Sequence, residues 1–119
     1  MNREIKFRGK SLNTGLWSYG DLRQDNVRRK AYIEYEVAPE TVGQYTGLKD
    51  TNGKEIYEGD IVTIGGGDLK AFVIWFNGSF RFQDELSSKA TYFDDIGSVM
   101  RDYDVAVIGN IYDDNELLS

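Results

Sequence analysis

The sequence predicts a mainly β fold, and three observations carry that prediction. Apolar residues alternate with polar ones at period two, turn-forming residues punctuate the alternating runs, and large aromatic side chains suited to pleated surfaces abound. The chain has 119 residues, with eight Tyr, six Phe and two Trp, and its thirteen Gly stand against a single Pro. That length suits one domain-sized core, and Gly-rich, Pro-poor punctuation suits tight turns rather than a disordered linker.

The elements follow in order. Ile5 and Phe7 alternate with Lys6 and Arg8, which predicts a strand with one buried face, closed by Gly9. After the turn-like Asn13-Thr14-Gly15, LWSYGDL (16–22) reads as a second strand kinked at Gly20. RQDNVRRK (23–30) is polar and reads as a loop, and AYIEYEV (31–37) reads as one strand with Ala31, Ile33, Tyr35 and Val37 inward. Pro39 lacks a backbone donor and marks an edge or connection, which makes it a candidate subdomain boundary. Beyond it, TVGQYTGL (41–48) leads to Asp50-Thr51-Asn52-Gly53, strong reversal chemistry.

IVTI (61–64) is a β-branched run suited to a strand buried on both faces. Gly65-Gly66-Gly67 separates it from AFVIWF (71–76), and Asn77-Gly78 then predicts a type I′ turn into SFRFQD (79–84). Tyr92, Ile96 and Val99 or Met100 recur at helical spacing and predict one short amphipathic helix, which Gly97 weakens. In DVAVIGNIYDDNELL (104–118), Val105, Val107 and Ile111 are expected to face inward along a last strand, and Asp113 or Asp114 to cap a terminal helical turn carrying Leu117 and Leu118. The whole is a compact sheet or barrel.

The formal charge of −6 argues against generic nucleic-acid binding, whose affinity comes from Lys and Arg neutralising phosphates. Yet the charge is polarised: residues 1–30 carry eight Lys or Arg against three acidic residues, and the remainder carries six against seventeen. The polarity admits two readings, scattered surface charge or an oligomer or anion-binding face.

No Cys and no His are present. Their absence excludes thiolate nucleophiles, Cys-ligated metals, Ser-His-Asp relays and His-ligated zinc or haem, so no catalytic residue and no cofactor is expected. Carboxylates remain, namely Asp94, Asp95, Asp102, Asp104, Asp113, Asp114 and Glu116. They match no ligand spacing, and no metal is expected. Asp50-Thr51-Asn52-Gly53 fails as a calcium loop, because Gly at the sixth position puts Leu48 at the first ligand and Gly59 at the twelfth. Gly65-Gly66-Gly67 lacks the Gly-Lys-Ser/Thr ending of a phosphate loop. Neither a membrane span nor a secretory leader is expected from the apolar runs, and a cytoplasmic location is compatible.

Three stretches together carry a resemblance: REIKFRG (3–9), GQYTGLKDTNGKEIYEGDIV (43–62) and VIGNIYDDNELL (107–118). In the central one, Gly47, Asp50, Asn52 and Gly53 stand in register with Ile56, Tyr57, Glu58, Gly59 and Asp60. The chain resembles the YopX family of phage and prophage proteins. The resemblance implies an N-terminal β region over residues 1–42 and a small C-terminal barrel similar to the SH3-type fold over residues 43–119. It implies a phage- or prophage-encoded protein in a bacterial host cell, and it transfers no catalytic residue.

The leading functional expectation is a non-enzymatic accessory protein that binds an unknown protein partner or forms a homo-oligomer. The alternative is single-stranded nucleic-acid binding through Lys6, Arg8, Lys10, Arg23, Arg28, Arg29 and Lys30, with Trp17 or Tyr19 stacking on a base. A carboxylate-dependent metalloenzyme is the third reading. Gly59-Asp60 before a β-branched strand also opens small barrels of RNA-associated proteins. The structural alternative is that Gly59 supplies a special backbone angle and Asp60 bonds nearby amides.

Overall fold

The computed structural model describes residues 4–67, 69–84 and 95–118, and the chain divides into two units, Met1–Gly47 and Leu48–Ser119. In the first, β1 (Phe7–Lys10) and β2 (Trp17–Gly20) pair antiparallel, with Arg8 opposite Tyr19 and Lys10 opposite Trp17. The second sheet is β3 (Arg23–Asp25), β4 (Lys30–Ile33) and β5 (Tyr35–Val37), in that order. A 3₁₀ turn at Pro39–Thr41 follows, and then β6 (Gly43–Lys49) begins beside β1, placing Gln44 opposite Phe7.

Ala31, Ile33 and Val37 form the buried core of this unit, with Phe7, Leu22 and Val42 packed against them. Gly9 lies at the contact between the sheets. A Cβ there would meet Val37 Cγ2 at 2.9 Å, so only the missing side chain permits this approach.

Three expectations need correction here. Residues 23–30 are not a loop throughout: Arg23–Asp25 is a strand, paired with β4 across a turn. Residues 31–37 are not one strand. Glu34 takes a left-handed φ of 63°, and the chain folds back so that Ala31 lies opposite Val37 and Ile33 opposite Tyr35. The reversal turns Tyr35 outward, leaving it 63% exposed, whereas Ala31, Ile33 and Val37 face inward as expected. Ile5 precedes β1 and is exposed rather than buried.

The second unit contains β7 (Glu55–Tyr57), β8 (Asp60–Ile64), β9 (Leu69–Phe76), β10 (Ser79–Gln83), α1 (Ile96–Asp102) and β11 (Val105–Asn110). An antiparallel sheet runs in the order β10-β9-β8-β11. The turn after β9 has Asn77 at φ 50° and Gly78 at φ 82°, the two left-handed residues that a type I′ turn requires.

Cross-strand register explains the core. Val62 and Ile64 lie opposite Ala71 and Leu69 on one side and Val107 and Val105 on the other, so one face of the sheet is continuously apolar. Phe80, Phe82 and Val73 extend it, and Ile96, Val99 and Met100 of α1 cover it. Their i, i+3, i+4 spacing is the apolar stripe of a short helix. Asp95 caps that helix by accepting from the Ser98 amide. Ile61, on the other face of β8, is also fully buried. Tyr92, the expected first residue of the helical stripe, lies outside the described residues.

Candidate functional site

The central motif builds structure with its two aspartates and with Thr51. Asp50 is 6% exposed. One oxygen of its carboxylate, Oδ1, accepts from the amides of Asn52 and Lys54 at 2.9 and 2.8 Å, and the other, Oδ2, accepts from the Val107 amide at 2.8 Å. Next to it, the Thr51 amide donates to the Val105 carbonyl and the Thr51 hydroxyl accepts from the Val105 amide. Asp50 and Thr51 thereby satisfy backbone groups of β11, which among the described residues is an edge strand of its sheet. Burial pushes the Asp50 carboxyl up, but the amides of Val107, Lys54 and Asn52 outweigh it and hold the group below its ordinary value.

The second half of the motif repeats this logic. Asp60 is 1% exposed and its Oδ2 accepts from the Tyr57 amide at 2.7 Å, across a turn in which Gly59 has a φ of 91°. Gly59 donates its amide to the Val73 carbonyl and accepts from Ile111. A Cβ on Gly59 would lie 3.1 Å from the Tyr112 ring. Gly47 and Gly53 also take left-handed φ angles, and Ile56 and Tyr57 are buried.

The acidic residues are placed no closer to chemistry. Asp113 accepts from the Asn110 side-chain amide, and Asp114 accepts from the Asn110 backbone. Asp95 caps α1, where the Ser98 amide and hydroxyl hold its carboxyl below the ordinary value. Among the described residues no group of three or more acidic side chains is placed to hold a metal ion, and Asp94 lies outside them.

The basic residues are divided between two sheets. Lys6, Arg8 and Lys10 have the same parity along the chain, and they lie on the face of β1 opposite Phe7 and Gly9. Lys6 lies over Tyr45 at 5.2 Å, and Arg8 and Lys10 lie over Trp17 at 4.6 and 5.7 Å. Arg8 is only 5% exposed, so it leaves the set of surface contacts expected for an anion. Its stem and planar head pack on the indole instead. Tyr19 is half exposed on the same face.

Arg28, Arg29 and Lys30 belong to the other sheet, at the turn between β3 and β4. Asp25 Oδ1 accepts from the amides of Val27 and Arg28 at 3.1 Å each, an Asx turn that shapes the tip. Arg29 sits at φ 57°. Arg28 lies 3.9 Å from Asp25, and Lys30 lies 3.9 Å from Glu36. Arg23 covers the Tyr32 ring at 4.8 Å. A shallow cleft of about 440 Å³ is lined there by Arg23, Gln24, Asp25, Asn26 and Tyr32. Charge singles out Arg23, but Gln24, Asn26 and Tyr32 carry no such mark. Only the turn-forming pair Asp25-Asn26 hints that residues 23–32 fold back on themselves.

A second exposed feature sits at the tip of the β9–β10 hairpin. Trp75 is 54% exposed and Phe76 44%. Neighbouring strand residues point to opposite faces, so the tip carries one ring on each side. Trp75 meets Phe80 edge-to-face at 4.8 Å, and the Arg81 guanidinium lies 5.7 Å from the Phe76 ring.

The central turn bound to β11 and the glycine-aspartate turn before β8 join residues 43–62 to residues 107–118, and the match to the description "YopX protein" spans residues 4–119. The chain belongs to the YopX family. No curated protein matches it. A solved structure, protein EF1440 from Enterococcus faecalis, is similar over 99% of this chain and 100% of its own, with 23% identity and a TM-score of 0.66. That likeness speaks for the fold of this YopX-family chain and leaves function to its surfaces. Among the described residues no helix is long and apolar enough to cross a membrane.

Proposed function

We propose that this chain is a non-enzymatic, phage- or prophage-encoded accessory protein that acts by binding protein, another chain or a second copy of itself, through the β9–β10 hairpin tip. The observation that carries the reading is the pair Trp75 and Phe76, two large aromatic rings exposed on the two faces of a strand end beside a turn of fixed geometry. Tryptophan is among the residues most enriched where binding energy concentrates at protein interfaces. A type I′ turn holds the tip in one conformation, which lowers the ordering cost of association. The family membership supports the phage or prophage setting.

Sedimentation of the full chain, alone and after cross-linking in bacterial lysate, tests this reading. A self-associating or partner-bound species is expected for the wild type, and Trp75→Ser/Phe76→Ser is expected to abolish it while the chain still unfolds in one cooperative transition. A strictly monomeric wild type that cross-links to nothing sensitive to that double substitution overturns the proposal.

A further inference from the structure

We propose that the β3–β4 hairpin is a binding site for single-stranded nucleic acid, taking one base against the exposed guanidinium plane of Arg23 and adjacent phosphates on Arg28 and Arg29. This site is made of other residues than the aromatic tip and goes beyond protein binding.

Four observations converge on it. The cleft of about 440 Å³ falls within the size range of small-ligand sites and is bordered by strand β3, which among the described residues is an edge strand paired with β4. Arg23 is exposed and its guanidinium carbon lies 4.8 Å from the centre of the Tyr32 ring, so a ring-backed cation stands within reach of a base. Unstacked bases stack on such guanidinium planes as they do on aromatic rings. Gln24 and Asn26 bring amide groups to the rim, with the donor and acceptor chemistry that a base edge needs.

The fourth is the tip itself. Asp25 fixes the amides of Val27 and Arg28, and Arg29 is kept in the left-handed region, a conformation that costs a residue with a side chain about 1 kcal/mol or more. Arg28 and Arg29 are both exposed. The Arg28–Asp25 pair at 3.9 Å is an exposed contact that a phosphate can displace.

The surroundings favour this ligand over others. Val27 is the apolar residue of the tip, 93% exposed, and one valine is too little apolar surface to anchor a chain to a membrane. The net charge of −6 opposes extended tracking along a duplex, so contact is confined to a few phosphates. Affinity should fall with salt at a logarithmic slope of about −1.4 for two phosphates on a single strand.

Fluorescence anisotropy of the full chain with labelled oligo-dT and oligo-U of about ten nucleotides, at about 20 mM salt, tests the site, because low salt maximises phosphate contacts. The wild type is expected to bind the single strands more tightly than a duplex of the same length. Arg28→Glu/Arg29→Glu should weaken binding about tenfold or more through lost and reversed phosphate contacts, and Arg23→Ala about fivefold or more through lost stacking. Lys70→Glu/Arg101→Glu, on the second unit, should change it less than about twofold if the contact is local. Thermal melts establish that each variant folds. The proposal is overturned if no single strand binds at low salt, or if both unit substitutions weaken binding equally. Binding indifferent to Arg28, Arg29 and Arg23 also overturns it, as does binding confined to anionic phospholipid vesicles.

Discussion

The two reversals rich in polar residues, the Asp50–Lys54 turn and the β3–β4 turn, look alike in composition and behave in opposite ways. Each is organised by an aspartate whose Oδ1 accepts from two following amides, Asn52 and Lys54 in one and Val27 and Arg28 in the other. The difference lies in what the rest of the turn does. Asp50 turns its second oxygen inward to the Val107 amide, and Thr51 bonds both backbone groups of Val105, so that turn is committed to β11. At the other turn Asn26, Val27, Arg28 and Arg29 stay exposed. A distinctive motif therefore identifies architecture, and the less distinctive turn is the one with chemistry left to offer.

The comparison breaks if the two turns respond alike to substitution. Asp50→Ala leaves three backbone amides without their carboxylate acceptor. It should destabilise the chain by about 3 kcal/mol, given that hydrogen bonds to charged groups contribute about 1.5–3 kcal/mol each and do not add in full. Asp60→Ala removes one buried acceptor, that of Tyr57, and should cost about 2 kcal/mol. Urea unfolding at neutral pH reads both.

Gly9→Ala sharpens the contrast from the core of the first unit. Its methyl must displace Val37, and overpacking of this kind costs about 1–3 kcal/mol. The backbone itself can accept the substitution, since Gly9 is not among the residues with positive φ. A loss near zero would mean that Val37 moves freely.

Acid provides a gentler version of the Asp50 experiment. Its folded pKa is depressed, so its stabilisation is complete above the unfolded carboxylate pKa of about 4 and disappears as pH falls through the lower folded value. The stability gap between wild type and Asp50→Asn should narrow between about pH 5 and pH 2. A gap constant over that range would show that the carboxylate's charge is not what the amides require. At the small end, Arg28→Glu/Arg29→Glu should alter stability by no more than about 0.5 kcal/mol, as exposed substitutions usually do.

Much of the fold was legible because its signals are local. Asn77-Gly78, the three glycines at 65–67 and the β-branched residues of β8 each state a conformation within a few residues. Ile96, Val99 and Met100 likewise declare a helical stripe. What was not legible depended on partners distant in sequence. Nothing local marks Glu34 as left-handed. Its angle follows from folding Ile33 and Val37 onto the same core. Arg23–Asp25 has no apolar alternation because it is an edge strand, and its pairing residues became visible only with β4 in place. Arg8 looked like a surface cation because its charge is local information, whereas the indole that covers it comes from the opposite strand. The cleft was half legible for the same reason: arginines announce themselves, and the tyrosine backing Arg23 does not.

The most direct test of the contrast is a paired urea unfolding of Asp50→Ala and Arg28→Glu/Arg29→Glu against the wild type. A loss of about 3 kcal/mol is expected for the first and a change within about 0.5 kcal/mol for the second. Equal losses, or a larger one at the arginine tip, would contradict the claim that the central motif builds the fold while the β3–β4 turn is left for binding.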